Sequence, residues 1–174
     1  MNDYAIRRAD ASDADVIAGH RVAMFRDMGE VASDALAAAL RAAAASSLDT
    51  LLRNGAYVGW LATDAGRRII AGAGVHIKEQ LPRIAPDRTR IEVAAVPLVV
   101  NVYTEPDWRH RGVARALMQA LMAWAADRGF DRVVLHASDD GRPLYTSLGF
   151  VATNEMRWSP TTEFSAGTTG SSRR

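Results

Sequence analysis

The most restrictive feature of this chain is a handover from strand to helix. A long β-rich run, Ile91 to Thr104, stops, a short turn follows, and a helix begins at Gly112. Val113, Leu117, Leu121 and Trp124 recur at the spacing of one buried helix face. A turn of this kind aims its own N–H groups, and the unpaired amides of the helix's first turn, at one spot. The helix dipole adds about half a positive charge there. Such a spot binds phosphate. Gly112 lets the backbone approach an anion, Ala114 keeps the second turn small, and Arg109, Arg111 and Arg115 add positive charge. Taken alone, the Arg-x-x-Gly-x-Ala pattern equally fits an ordinary connection with a solvated arginine face.

The rest of the chain reads as one domain over residues 1–158, followed by a polar tail over 159–174. Asp3 to Arg8 suits a first strand. Ser12 is an N-cap candidate for a helix carrying Ile17, His20, Met24 and Met28 and ending at Gly29. A second helix, Ser33 to Arg53, has Leu36, Leu40, Leu48, Leu51 and Leu52 as its stripe and many alanines between. Tyr57–Thr63 and Ile69–Ile77 form a hairpin pattern around Asp64-Ala65-Gly66. Leu81 to Thr89, with Pro82 and Pro86, reads as an exposed loop, and Pro97 predicts a bulge or break within the β-rich run. The main helix reaches Arg128. After it come a short strand, Arg132–His136, a short helix from Pro143 to Gly149, and a last strand, Phe150–Trp158. The Thr, Ser and Gly of the tail predict disorder.

Composition narrows the chemistry. The 174 residues contain no cysteine, which removes disulfides, thiolate metal sites and cysteine nucleophiles together. Lys and Arg number 21 against 20 Asp and Glu, a balance unlike a general nucleic-acid binder. No uninterrupted apolar run has the length of a membrane span, and the first residues carry no signal core, so a cytoplasmic address without membrane or nucleic-acid partners is expected.

Residues 109–114, Arg-His-Arg-Gly-Val-Ala, resemble the [Gln/Arg]-x-x-Gly-x-[Gly/Ala] signature of GNAT acetyltransferases. Pro106-Asp107-Trp108 before it, Leu117 and Leu121 within the helix, and Leu144-Tyr145-Thr146-Ser147-Leu148-Gly149-Phe150 further on are similar to the family in order and spacing. Where the family often has Asn-x-x-Ala, this chain has Ser138-Asp139-Asp140-Gly141. The resemblance implies an α/β (α+β) fold with a mixed, mostly antiparallel sheet of six to seven strands and about four helices. It implies acetyl-CoA as co-substrate, with no metal. The pyrophosphate would lie on Arg109, His110, Arg111, Gly112, Val113, Ala114 and Arg115. The pantetheine arm would run along the main chain of Val102, Tyr103 and Thr104, beside Ser138.

The same resemblance makes Tyr145 the acid that protonates the departing thiolate, although a tyrosine there also serves plain packing. Glu92 is the candidate base, acting through water, and a solvated strand-edge glutamate fits it as well. His76 and His110 are further titratable candidates, and Arg142 a further phosphate contact. His20, on an apolar stripe, reads as a satisfied core histidine. Arg21, Phe25 and Met28 on the first helix, with Asn101, would line the site of the acceptor, since the first two helices wall that site in the family. The expected reaction is direct transfer to the amine of a small molecule: an amino acid, a polyamine or an amine-bearing antibiotic. A protein N-terminus or lysine is the alternative acceptor, and a non-catalytic acyl-CoA sensor the alternative function. The resemblance also implies a homodimer, since the family often pairs through sheet edges or helices, and Met156 and Trp158 are exposed-looking residues of the last strand.

Overall fold

The apolar stripes resolve into four helices and six strands in a computed structural model, which describes residues 3–84, 87–92 and 95–153. In chain order these are β1 (Tyr4–Arg8), α1 (Ala14–Asp27), α2 (Asp34–Arg53), β2 (Tyr57–Asp64), β3 (Ile69–Glu79), β4 (Arg83–Ile84), β5 (Ile91–Glu92), β6 (Ala95–Thr104), α3 (Val113–Asp127) and α4 (Arg142–Ser147). Short 3₁₀ turns at Ala11–Asp13 and Pro106–Trp108 lead into α1 and toward α3. The main sheet has the order β1-β2-β3-β6, antiparallel throughout, and β4 pairs with β5 apart from it.

Helices cover both faces of this sheet, so its inner strands are buried on both sides. That explains why β2 reads as a nearly continuous apolar run rather than an alternating one. On one face Val58, Trp60, Ala71, Ala73, Val75 and Val99 pack against Val113, Leu117, Met118 and Leu121 of α3. On the other, Tyr57 and Leu61 meet Ile17 and Ala18 of α1 and Leu48 of α2.

Several local expectations are revised. Asp10, not Ser12, caps the start of the first helical segment. Its carboxylate accepts from Ser12 N–H, while Asp13 accepts from Asp10 N–H. Asp13 is buried because Arg7 grips it through two hydrogen bonds of 2.7 Å. On α2, Leu36 is 48% exposed and Ala37 takes the buried position. The small side chain lets α1 come close. α2 is also the one helix among the described residues that is long and apolar enough to cross a membrane. Its hydropathy comes from alanine, and here it packs on α1 with Arg41 bound to Asp15.

Pro97 lies inside β6, opposite Ile77, and makes no break. Its carbonyl accepts from Val134 N–H, and Val99 N–H donates to Val134. Residues 97 and 99 therefore face the Val134 segment, and proline's missing N–H falls on that side rather than on β3. The bulge comes later. Register shifts between Gly72 and Gly74 of β3, where Asn101 stands at φ 56°. Among the described residues the expected strand 132–136 makes a single parallel bridge, Leu98 to Val134. Within the expected last strand, residues 150–153 are described and are not in a strand. Met156, Trp158 and the tail lie outside the described residues.

Candidate functional site

The turn between β6 and α3 is built as an anion cradle. His110 (φ 61°) and Gly112 (φ 78°) are both left-handed, on either side of Arg111. Residues of opposite hand in succession turn their N–H groups into a shared concavity. Gly112 is the N-cap of α3 and supplies no side-chain cap, so the first amides of the helix have no side-chain acceptor. Nothing lies within 4 Å of the point where a Gly112 side chain would begin. Val113 beneath it is buried in the core and holds the turn in place.

The three arginines of this turn have partners of their own. Arg109 sends Nε to the Thr104 carbonyl (3.0 Å) and Nη2 to Asp27 at the end of α1 (2.5 Å). Its guanidinium also lies 5.8 Å from the Tyr103 ring. Arg111 stacks over Trp108 at 5.1 Å, and Arg115 donates to Ser147 of α4 (2.8 Å). The backbone is thus the main anion-binding element, and Arg109 ties it to α1.

β6 leads into this cradle with one side open. Glu105 N–H donates to Ile70 of β3, so Thr104, next to it, turns its main chain away from β3. Val102 packs its side chain on the α3 face of the sheet, together with Tyr145, Leu148 and Phe150. One cluster therefore joins the open strand, the start of α3 and the tyrosine helix.

Tyr145 sits on α4, its ring edge-on to Phe150 at 6.0 Å. Gly141 is required beneath it, because a Cβ there would meet the Tyr145 ring at 2.9 Å. Ser138 holds the start of α4: its hydroxyl accepts from Gly141 N–H and its carbonyl from Arg142 N–H. The hydroxyl keeps its proton for another acceptor. Burial pushes the Tyr145 phenol above its ordinary pKa of 10, so it is a proton donor at neutral pH. The tyrosine borders a cleft of about 640 Å³ lined also by Leu135, His136, Arg142, Phe150 and Thr153. Arg142 is exposed, 3.8 Å from Asp139. Glu92 is not brought into the main sheet; its main chain pairs with Arg83 in the β4–β5 ribbon.

The acceptor-wall residues converge on the bulge. Arg21 donates to Asn101 Oδ1 at 2.6 Å and lies over Phe25 at 4.9 Å. Asn101 is buried, and its side chain hydrogen-bonds the Tyr57 hydroxyl. Burial raises Tyr57 to about 12 despite that bond. Met28, 51% exposed, stands at the end of α1. His76 lies opposite Tyr57 and Leu98 in the sheet.

His20 is a core histidine, 4% exposed, but not a satisfied one. Its Nδ1 has no hydrogen-bond partner among the described residues, its Nε2 lies 3.8 Å from Glu105, and its ring stacks on Tyr103 at 5.1 Å. Sequence reasoning passed over Glu105, Asp27 and Tyr57. Glu105, directly after the open strand, is the one its position marks out. Among the described residues no cluster of three His, Asp or Glu side chains is placed to hold a metal ion.

Comparisons with known proteins agree with this geometry. The family model described as Acetyltransferase (GNAT) family matches residues 25–150. The chain is 32% identical to a GCN5-related N-acetyltransferase from Ralstonia eutropha JMP134, with 90% of this chain and 97% of that one covered and a TM-score of 0.75. It is 26% identical to a predicted acetyltransferase from Clostridium acetobutylicum, solved with acetyl-CoA, at 90% and 95% coverage and a TM-score of 0.76. Glucosamine-6-phosphate N-acetyltransferase from Arabidopsis thaliana shares the fold at 13% identity, 92% and 100% coverage and a TM-score of 0.65. No curated protein sequence matches the chain.

Proposed function

The chain belongs to the GNAT acetyltransferase family, and on that premise we propose that it moves an acetyl group from acetyl-CoA directly to the amine of a small molecule. The observation that carries this reading is the turn at residues 109–114: two left-handed residues, uncapped helix amides and open space over Gly112. That arrangement fits a pyrophosphate better than a solvated connection does, because a plain connection gains nothing from leaving those amides without side-chain acceptors.

Acetyl-CoA would supply a thioester as acyl donor. The amides of Arg111 to Ala114 would hold its pyrophosphate, and β6 at Val102 to Thr104, on the side away from β3, would hold the pantetheine arm like an added strand. Tyr145, neutral and half-buried, would give its proton to the leaving thiolate. Glu92 is the base of this reading, taking the amine's proton through water. Arg21, Phe25, Met28 and Asn101 would face the acceptor.

Incubation with acetyl-CoA and a mixed panel of small amines, following free thiol and acetylated product, tests the proposal. Thiol release that matches an acetylated small amine supports it. Acetylation of peptide N-termini or lysines alone would transfer the reading to a protein acceptor. Acetyl-CoA binding without any turnover would make the protein a sensor.

A further inference from the structure

Arg21 is the unusual charge on the acceptor wall. It is half-buried on α1, yet its one hydrogen-bond partner among the described residues is neutral, the Asn101 side-chain oxygen at 2.6 Å. No carboxylate among the described residues pairs with it. Asp27, further along α1, binds Arg109, and Glu105, just after β6, lies 3.8 Å from both His20 and Arg68. Other arginines of the described residues do have an acid, among them Arg26 on the same helix and Arg7, Arg41, Arg53, Arg68 and Arg109.

The guanidinium is also held in one orientation. One nitrogen is fixed by Asn101, and the plane is supported by the Phe25 ring at 4.9 Å. Asn101 is itself immobilised, because it is buried, bonded to the buried Tyr57 hydroxyl and set in the left-handed position of the β6 bulge. A fork gripped on one side and free on the other is a preorganised receptor for a planar anion. It stands one side chain away from the strand that leads into the phosphate cradle.

We propose that Arg21 receives a carboxylate of the acceptor, so that the substrates are amines bearing an acid group, such as amino acids. This rests on the acetyl-transfer reading above and narrows it to one class of acceptor. Asn101 and Tyr57 act as positioning residues for the arginine. A carboxylate is favoured over a phosphate because a single arginine with a neutral neighbour balances one negative charge, whereas a phosphate dianion calls for a second cation, and Arg26, Arg41 and Arg53 of the same two helices are already held by Asp34, Asp15 and Asp49.

The test compares acceptors that differ at one group: glycine with glycinamide, phenylalanine with phenylalaninamide, and ethanolamine with its phosphate ester. Each kcat/KM is referred to the neutral-amine fraction at the assay pH. In the native protein the carboxylate member of each pair should be preferred by roughly ten- to a hundredfold, the worth of a charge-assisted pair. In Arg21→Gln the ratio should fall to within about threefold of unity, and Arg21→Lys should keep part of it. Melting temperatures of both variants serve as folding controls, and the ratio is taken within each protein, so a general loss of activity does not imitate the result. Equal use of acid and amide by the native protein, an undiminished ratio in a folded Arg21→Gln, or a preference for the phosphate ester would each overturn the inference and leave acetyl transfer intact. Consumption of none of these amines, or of any other, would instead overturn the acetyl-transfer reading and this inference with it.

Discussion

The buried imidazole of His20 makes stability depend on pH in a predictable direction. Its ring is 4% exposed, and burial lowers its pKa from 6.5 to about 4. Glu105, at 3.8 Å, pulls the other way, but it is beyond hydrogen-bond reach and partly solvated, so desolvation wins. In the folded state His20 thus stays neutral until the pH nears 4, whereas in the unfolded chain it takes a proton near pH 6.5. Between those values the unfolded state binds more protons. The contribution of the neutral form is complete above pH 6.5 and is lost as the pH falls toward 4. At 1.36 kcal/mol per unit, acidifying from pH 7 to pH 5 should cost about 2 kcal/mol through this residue alone. Other groups titrate over the same range, so the measurement is a difference. Urea unfolding of the native protein and of His20→Leu, at both pH values, should give the native protein an extra loss of about 2 kcal/mol. Leucine carries no proton, and Nδ1 gives up no hydrogen bond on its removal. Parallel losses in the two proteins would refute the argument and mean that His20 is charged in the fold or solvated on opening.

Tyr145→Phe keeps the ring against Phe150 and removes the proton, so turnover should fall roughly ten- to a thousandfold while acetyl-CoA affinity and melting temperature hold; single-turnover rates on a good acceptor check it, and native-like chemistry would rule out the acid role. Acetyl-CoA should raise the native melting temperature, and Gly112→Trp should abolish that rise, both by filling the space above the turn and by forcing a bulky residue to φ 78°; differential scanning fluorimetry reads both. Arg7→Met strands the buried Asp13 carboxylate and should cost about 1–3 kcal/mol in urea unfolding, less than a fully buried pair because Arg7 is itself 45% exposed. Light scattering at micromolar concentration should give a dimer's mass, the expectation attached to Met156 and Trp158.

The parts of the fold that were legible in the sequence are those set by local periodicity or by turn chemistry. α3 announces itself through Val113, Leu117 and Leu121, all of which are buried, and the hairpin through Asp64 to Gly66. About four helices were expected and four are present among the described residues, but in place of one sheet of six to seven strands these residues form a four-stranded sheet and a separate two-stranded ribbon. The misjudged details depend on partners distant in the chain. Ser12 looked like a cap because nothing local shows that Arg7 draws Asp13 inward and leaves Asp10 to cap. Pro97 looked like a break because its tolerance depends on which side of β6 is left without a neighbour. In the candidate site, the turn could be read from its own glycine and arginines, and Tyr145 came from the resemblance of residues 144–150 to the family, but the attachment of Arg109 to Asp27 spans 82 residues and no pattern foretells it. That Arg21 bonds a neutral amide rather than an acid is likewise visible only in the folded chain.

The single bridge at Val134 has a consequence for how the molecule comes apart. β1, β2, β3 and β6 are joined by extended ladders, whereas among the described residues the segment that carries α4 meets the sheet through two main-chain hydrogen bonds at Val134. Arg115 to Ser147 and Arg132 to Gln80 add exposed side-chain ties. Among the described residues this seam has fewer main-chain bonds to break than the ladders, which favours a sub-global opening there. Gentle warming would peel Tyr145 away from the open strand while the four-stranded ladder stays intact. Inactivation would then run ahead of the loss of secondary structure, and amides of residues 132–149 would exchange with solvent before those of β2 and β3.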